Sequence, residues 1–288
     1  MKVAASPQEL GAGDRAVAIG TFDGVHLGHR RVVEAALAAG LQAAVVTFDP
    51  HPRVALGHRV ELIATLERRL ELLADLGVEE TLVLPFTPDF ALQTPEEFAH
   101  AVLEPLGARV VVAGEGFRFG RGRSGDLGTL AGLGLDARPV PLVEGISSSR
   151  IRQLVAAGEV GRAAALLGRP VEVEGTVVAG DARGGTLGFP TANLAAPADL
   201  LVPAFGIYAG EALGHRAATS IGVNPHYGGE ERRIEAFLLD YEGDLYGLRL
   251  VVELWEKLRE ERAFASEDQL VEQIGRDVEA TRAAVRPL

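Results

Sequence analysis

Gly20-Thr-Phe-Asp-Gly-Val-His-Leu-Gly-His29 is the stretch whose reading decides the first half of the fold. It grows out of a short apolar run, 16–22, and leads into a helix-like stretch, 27–39. Gly20 and Gly24 allow the backbone to approach a ligand closely where a strand turns toward a helix. His26 and His29 are three apart, so on a helix they share one face of the first turn. A helix N-terminus presents N–H groups without intrahelical partners and a partial positive charge, which favours phosphate. Two imidazoles there can donate to phosphate oxygens and stabilise charge as a pyrophosphate leaves. The residues alone equally admit a surface pair or two metal ligands. There is no Walker A sequence, so an ATP-using enzyme needs another phosphate cradle here.

Working outward, apolar and β-branched runs at 41–48, 81–86, 109–113 and 137–143 alternate with helical patterns at 66–76, 95–106 and 127–133. Thr94 with Glu97 forms a capping box for the helix at 95. This alternation implies a mostly parallel sheet covered by helices on both faces. Two further helical stretches, 151–157 and 160–167, end at Gly168-Arg-Pro170, which sets the expected boundary between domains 1–168 and 169–288. Beyond it, runs at 171–178, 206–211, 217–223, 234–240 and 248–254 read as strands joined by glycine-rich turns without intervening helices. That pattern predicts a small antiparallel barrel or sandwich. Ser266 with Gln269 caps a closing helix that runs to about residue 284.

The chain has 288 residues, 47% of them hydrophobic, and no cysteine, which excludes disulfides and thiolate metal sites. The net charge is −12, so the basic face of a nucleic-acid binder is not expected. No apolar run reaches the length of a membrane span, and the N-terminus lacks a secretory pattern. These features point to a soluble cytoplasmic protein, with neither nucleic acid nor membrane as partner. They do not fix an oligomeric state.

Gly20–His29 resembles the G-x-F-D-G-x-H-x-G-H signature of the nucleotidyltransferase superfamily with the H-x-G-H motif. Ile146-Ser-Ser-Ser-Arg-Ile-Arg152 resembles a second superfamily element, S-S-T-x-I-R, with Ser149 in the threonine position. Physically, a serine cluster opening a helix with Arg152 on its first turns is a second anion site. Phe48-Asp-Pro-His-Pro52, Gly114-Glu-Gly-Phe-Arg-Phe-Gly120 and Gly125-Asp126 narrow the resemblance to the prokaryotic bifunctional riboflavin kinase and FAD synthetase. Gly116 stands where that family usually has Asp or Asn, a contribution that is absent here or supplied by a neighbour such as Glu115.

In the second half, Gly180-Asp-Ala-Arg-Gly-Gly-Thr-Leu-Gly-Phe-Pro-Thr-Ala-Asn193 resembles the riboflavin kinase signature around G-x-P-T-A-N. Hydroxyl and amide oxygens are hard donors suited to Mg²⁺ bridging ATP phosphates, and the resemblance gives Thr191 and Asn193 that role. It also gives Glu235, in Arg233-Ile-Glu-Ala-Phe-Leu-Leu-Asp240, the role of proton acceptor. Asp244-Leu-Tyr-Gly247, Trp255 and Leu258-Arg259…Phe264 fit the family too. Gly185 and His226 depart from its usual arginine and threonine.

The resemblance therefore implies a Rossmann-like nucleotidyltransferase domain followed by a small antiparallel β-barrel riboflavin kinase domain with a C-terminal helix. The implied substrates are riboflavin, FMN and ATP, with Mg²⁺ as cofactor. The implied residues are His26, His29, Arg152 and Glu235 for catalysis, and Phe117 and Arg259 for flavin. Gly20, Phe22, Asp23, Gly24, Ser147, Ser148, Ser149, Gly180, Gly188 and Pro190 are implied for ATP. The alternative reading, motivated by Gly185 and His226, is an FAD synthetase whose second domain binds flavin with weak catalysis.

Overall fold

The computed structural model describes residues 1–180, 188–223 and 232–288; Gly185 and His226 lie outside them. The chain divides into two compact units, Met1–Ser148 and Ser149–Leu288.

In the first unit the elements run β1 (Lys2–Ala4), α1 (Pro7–Leu10), β2 (Arg15–Ile19), α2 (Leu27–Leu37), β3 (Gln42–Asp49), α3 (Pro52–Ala55), α4 (Leu66–Asp75) and β4 (Glu80–Pro85). They continue through α5 (Pro95–Phe98), a π-turn (Ala99–Leu103), β5 (Ala108–Gly114), α6 (Leu127–Gly132) and β6 (Asp136–Val140). The strands form one parallel sheet in the order β1-β4-β3-β2-β5-β6. The order reverses at β2, from which the chain first builds outward through β3 and β4 and later crosses to β5. A crevice at the carboxyl ends of the strands is expected at such a reversal.

Side-chain alternation divides β2 between two cores. Ala16 and Ala18 pack with Val32, Val33 and Ala36 of α2 and Leu72 and Leu73 of α4. Val17 and Ile19 pack on the opposite face with Phe98, Leu103, Leu106 and Leu130. A strand covered on both faces is buried along its whole length, as all five β2 residues are. That includes Arg15, whose guanidinium bonds Glu80 at 2.6 Å and the carbonyls of Leu106, Leu10, Gly11 and Gly13. These five acceptors are what make a buried cation tolerable.

The Thr94–Glu97 capping box forms both its bonds. The expected helix 95–106 is α-helical only to Phe98 and then widens into the π-turn, where Glu104 N–H reaches Ala99 O. β6 stops at Val140, earlier than the expected 143. It is an edge strand, where Pro139 is tolerated, and Pro141 follows with no N–H to extend the ladder.

The second unit begins with α7 (Ser148–Ala156), whose first residue belongs to the first unit, and α8 (Val160–Leu167). β7 (Val171–Val178), β8 (Ala192–Ala195), β9 (Gly206–Ala212), β10 (His215–Val223), β11 (Arg232–Leu238) and β12 (Arg249–Arg259) follow, then α9 (Glu267–Ala283). The strands close an antiparallel barrel in the order β10-β11-β8-β7-β12-β9. Ile234, Ala236 and Leu238 of β11 and Leu250, Val252 and Leu254 of β12 are buried at alternate positions. On β11 the alternating residues Arg233, Glu235 and Phe237 are half-buried. α8 packs on β7 and β12, and α9 on β9 and β10.

Candidate active sites

The loop after β2 lies at the carboxyl end of the strand where the sheet order reverses. Gly20 N–H still pairs with Val46 O at 3.1 Å, and Phe22 through His26 are then buried. Asp23 turns its carboxylate inward, where Oδ1 accepts from the amides of Ile63 at 2.9 Å and Ala64 at 3.3 Å. Its visible work is to fasten the loop to the segment leading into α4. Gly24 has φ +81°, and a Cβ there would stand 2.7 Å from Ile63 Cγ2, so only glycine fits that crossing.

His26 is the N-cap of α2, and its Nδ1 accepts the His29 N–H at 3.2 Å. A ring nitrogen that accepts carries no proton, so the neutral His26 ring holds its proton on Nε2 and presents a donor there. The two histidines meet by stacking, with ring centroids 3.6 Å apart and planes 14° from parallel. His26 thus stands just ahead of the helix rather than within its first turn. Phe22 packs edge-on against His29, centroids 5.3 Å apart. His51 repeats the device as N-cap of α3, buried, with Nδ1 accepting from Arg53 N–H at 3.1 Å.

Beneath this loop lies a residue that sequence reading did not single out. Arg69 of α4 is 4% exposed and donates to Thr21 O at 2.7 Å and Phe48 O at 3.1 Å. Burial pulls its guanidinium below its ordinary value, against the opposing charges of Asp23 and Asp49. Thr47 Oγ1 also donates to Thr21 O, at 3.1 Å. The backbone that carries Gly20–His29 is therefore pinned from below and backed by a buried cation.

At the end of β5, Phe117 stacks on Phe119, centroids 5.4 Å apart, at the margin of the core. A Cβ at Gly116 would meet nothing within 4 Å, whereas Glu115 accepts from Leu142 N–H at 3.2 Å and braces the loop after β6. Ser148 Oγ donates to Asp23 O at 3.2 Å, which ties the serine run to the histidine loop. Ser147 and Ser149 are exposed. Arg152 lies on α7, half-buried, within the second compact unit.

The barrel assembles its own cluster. β8 pairs with β7 on one side and β11 on the other, and its register sets Asn193 directly opposite Glu235. Such facing residues have Cβ atoms about 5 Å apart on one surface of a sheet. Arg233 bridges them: Nε donates to Asn193 Oδ1 at 3.3 Å and Nη2 to Glu235 Oε1 at 2.9 Å. Pro190 and Thr191 line a cleft of ≈ 230 Å³ together with Tyr241, Asp244 and Tyr246. Gly188, with φ +87°, and Pro190 are exposed. Arg259 holds Asp277 of α9 through Nε at 3.0 Å and Nη2 at 2.7 Å, and its guanidinium carbon lies 5.7 Å from the Phe264 ring centre.

Gly180 leaves room for the Asn193 side chain. A Cβ there would fall 2.2 Å from Nδ2 and 2.6 Å from Oδ1 of Asn193. Gly180→Ala is expected to push a half-buried amide aside at little cost to folding. The reaction that the resemblance gives to Asn193 should then slow on the order of a hundredfold, since small misplacements of a positioning group cost that much. Rate measurements beside a thermal melt check this; an unchanged rate, or a collapse of the melt, contradicts it.

Among the described residues, no cluster of three or more His, Cys, Asp or Glu could hold a metal, and no helix is long and apolar enough to cross a membrane. Two family models cover most of the chain: FAD synthetase matches residues 10–144 and riboflavin kinase residues 167–285. A bifunctional riboflavin kinase/FMN adenylyltransferase of Listeria monocytogenes is 36% identical over 94% of this chain and 92% of its own length. Its counterpart in Escherichia coli is 36% identical over 90% and 89%. A crystal structure described as a macrolide-efflux protein from Streptococcus pneumoniae matches 98% of both chains at 34% identity, with a TM-score of 0.87. With two models on the two units and relatives matched nearly end to end, the chain belongs to the bifunctional riboflavin kinase/FMN adenylyltransferase family.

Proposed function

We infer that this one chain converts riboflavin to FMN in its barrel and FMN to FAD in its sheet unit. The observation that carries the reading is the coincidence of each family match with a site suited to that chemistry: riboflavin kinase on the Asn193–Glu235 pair, FAD synthetase on the capped histidine loop.

In the barrel, the 5′-hydroxyl of the ribityl chain attacks the γ-phosphorus of ATP, the O–P bond to the β-phosphate breaks, and ADP leaves. Glu235 takes the hydroxyl proton, which a carboxylate held at a half-buried strand position can do. The cleft walled by Pro190, Thr191, Tyr241 and Tyr246 receives the nucleotide, with Gly188 in the turn that leads to it. The residues present fit a hard cation: Asn193 Oδ1 and Glu235 Oε1 already face a single positive group. Thr191 and Asn193 would hold Mg²⁺, which supplies charge neutralisation to the ATP phosphates when bound. Arg259, expected at the flavin, serves it through the brace it makes to α9.

In the sheet unit, a phosphate oxygen of FMN attacks the α-phosphorus of ATP and pyrophosphate departs. The nucleophile is already anionic, so no general base is required. His26, with its proton fixed on Nε2, and His29 donate toward the phosphate oxygens as charge develops. Gly20, Phe22, Asp23 and Gly24 shape the loop that presents them. Ser147, Ser148, Ser149 and Arg152 are assigned to this step by their motif, and Phe117 is the edge that meets the flavin. Support for Arg152 comes from its motif alone. We assign residues 1–168 to adenylyl transfer, so that this motif stays with its chemistry, and 169–288 to kinase action.

The leaving groups test the assignment. With FMN as the sole flavin, pyrophosphate should be released without ADP; with riboflavin, ADP should appear first. Pyrophosphate from riboflavin with no ADP would overturn it.

A further inference from the structure

Arg233 takes no part in the steps above, yet it occupies their centre. It sits two residues before Glu235 on β11, so both side chains leave the same face of the barrel wall. Its fork reaches Glu235 Oε1 at 2.9 Å and, across the strand pair, Asn193 Oδ1 at 3.3 Å. One guanidinium therefore engages a proposed metal ligand and the proposed base together. The group is 27% exposed and Glu235 26%, so neither charge is fully screened by water.

A magnesium ion binds oxygen at about 2.0–2.1 Å and demands a near-octahedral shell. A guanidinium nitrogen on the same Asn193 oxygen leaves two positive groups within a few ångströms of one another, in a setting where like charges repel. The two therefore compete for that oxygen. We propose that Arg233 is the resident cation of the kinase site, which keeps Asn193 and Glu235 aligned before nucleotide binds and is displaced by the divalent cation arriving with it. Arg233 is then a positioning residue that sets the Mg²⁺ concentration at which the barrel takes up nucleotide. Its departure also takes one positive partner away from the Glu235 carboxylate, the proposed acceptor of the hydroxyl proton. The inference rests on the kinase reading of the barrel.

The test is calorimetric titration of ADP into the full chain at stepped Mg²⁺ concentrations, which reads binding rather than turnover. Two binding events are expected, one per unit, and the sheet unit's event serves as internal reference. Removing a partly exposed competing charge, in Arg233→Ala, should lower the half-saturating Mg²⁺ of the barrel event about fivefold and leave the reference unmoved. Arg233→Lys, which keeps the charge, should retain most of the original requirement. An unchanged requirement in Arg233→Ala, or a fall of equal size in Arg233→Lys, overturns the competition. A higher requirement in Arg233→Ala also overturns it and makes Arg233 a nucleotide ligand. The absence of any Mg²⁺-dependent ADP event in the unaltered chain overturns the kinase reading itself.

Discussion

With His29 replaced by alanine, conversion of FMN to FAD is expected to fall by about a hundred- to a thousandfold, while conversion of riboflavin to FMN continues at its original rate. The first half of the expectation comes from placement. The His29 ring is stacked 3.6 Å from that of His26 at the start of α2, on a loop pinned by Asp23, Thr47 and Arg69. On the proposed assignment, removing it takes away a donor to the phosphate oxygens, and it frees the His26 ring from its neighbour. The second half comes from separation of the chemistry, since Glu235, Asn193 and Thr191 all belong to the barrel. Parallel loss of both activities, in a protein that melts normally, would contradict the two-site account. His26→Ala is a harsher change, because it also removes the cap on the His29 N–H.

The reciprocal change is Glu235→Gln. The amide keeps the size and hydrogen-bonding reach of the carboxylate but cannot take a proton. Riboflavin phosphorylation should fall about a hundredfold or more, the scale of a lost general base, while FMN supplied from outside is still adenylated. The variant also removes one charge from the Arg233 bridge, so nucleotide binding should be measured in parallel to separate a lost base from a lost site. Full kinase activity with glutamine at 235 would show that Glu235 is not the base.

The parallel sheet was legible because a doubly covered strand shows itself as a largely apolar run, as within 41–48 and 109–113. The barrel strands were legible through alternation, as in Ile234, Ala236 and Leu238. β8 was not. It has four residues and begins directly after Pro190-Thr191, where proline and a polar residue read as a turn. Yet it is the strand whose register puts Asn193 opposite Glu235, a relation that no spacing along the chain contains. Arg15 and Arg69 escaped for a related reason. Within Leu66-Glu-Arg-Arg-Leu70 a basic residue looks like a solvated helix face, and only tertiary packing buries Arg69 beneath the loop. The histidine pair was found from its spacing, but its geometry differs, because His26 caps the helix and the rings stack instead of lining one helical turn.

The most direct test of two activities on one chain is to separate the flavins formed when the purified protein is incubated with ATP and Mg²⁺, first with riboflavin and then with FMN. The account predicts FAD from both, with FMN rising and falling on the way from riboflavin. FAD from FMN but no conversion of riboflavin would contradict it and leave the barrel a flavin-binding appendage to an adenylyltransferase.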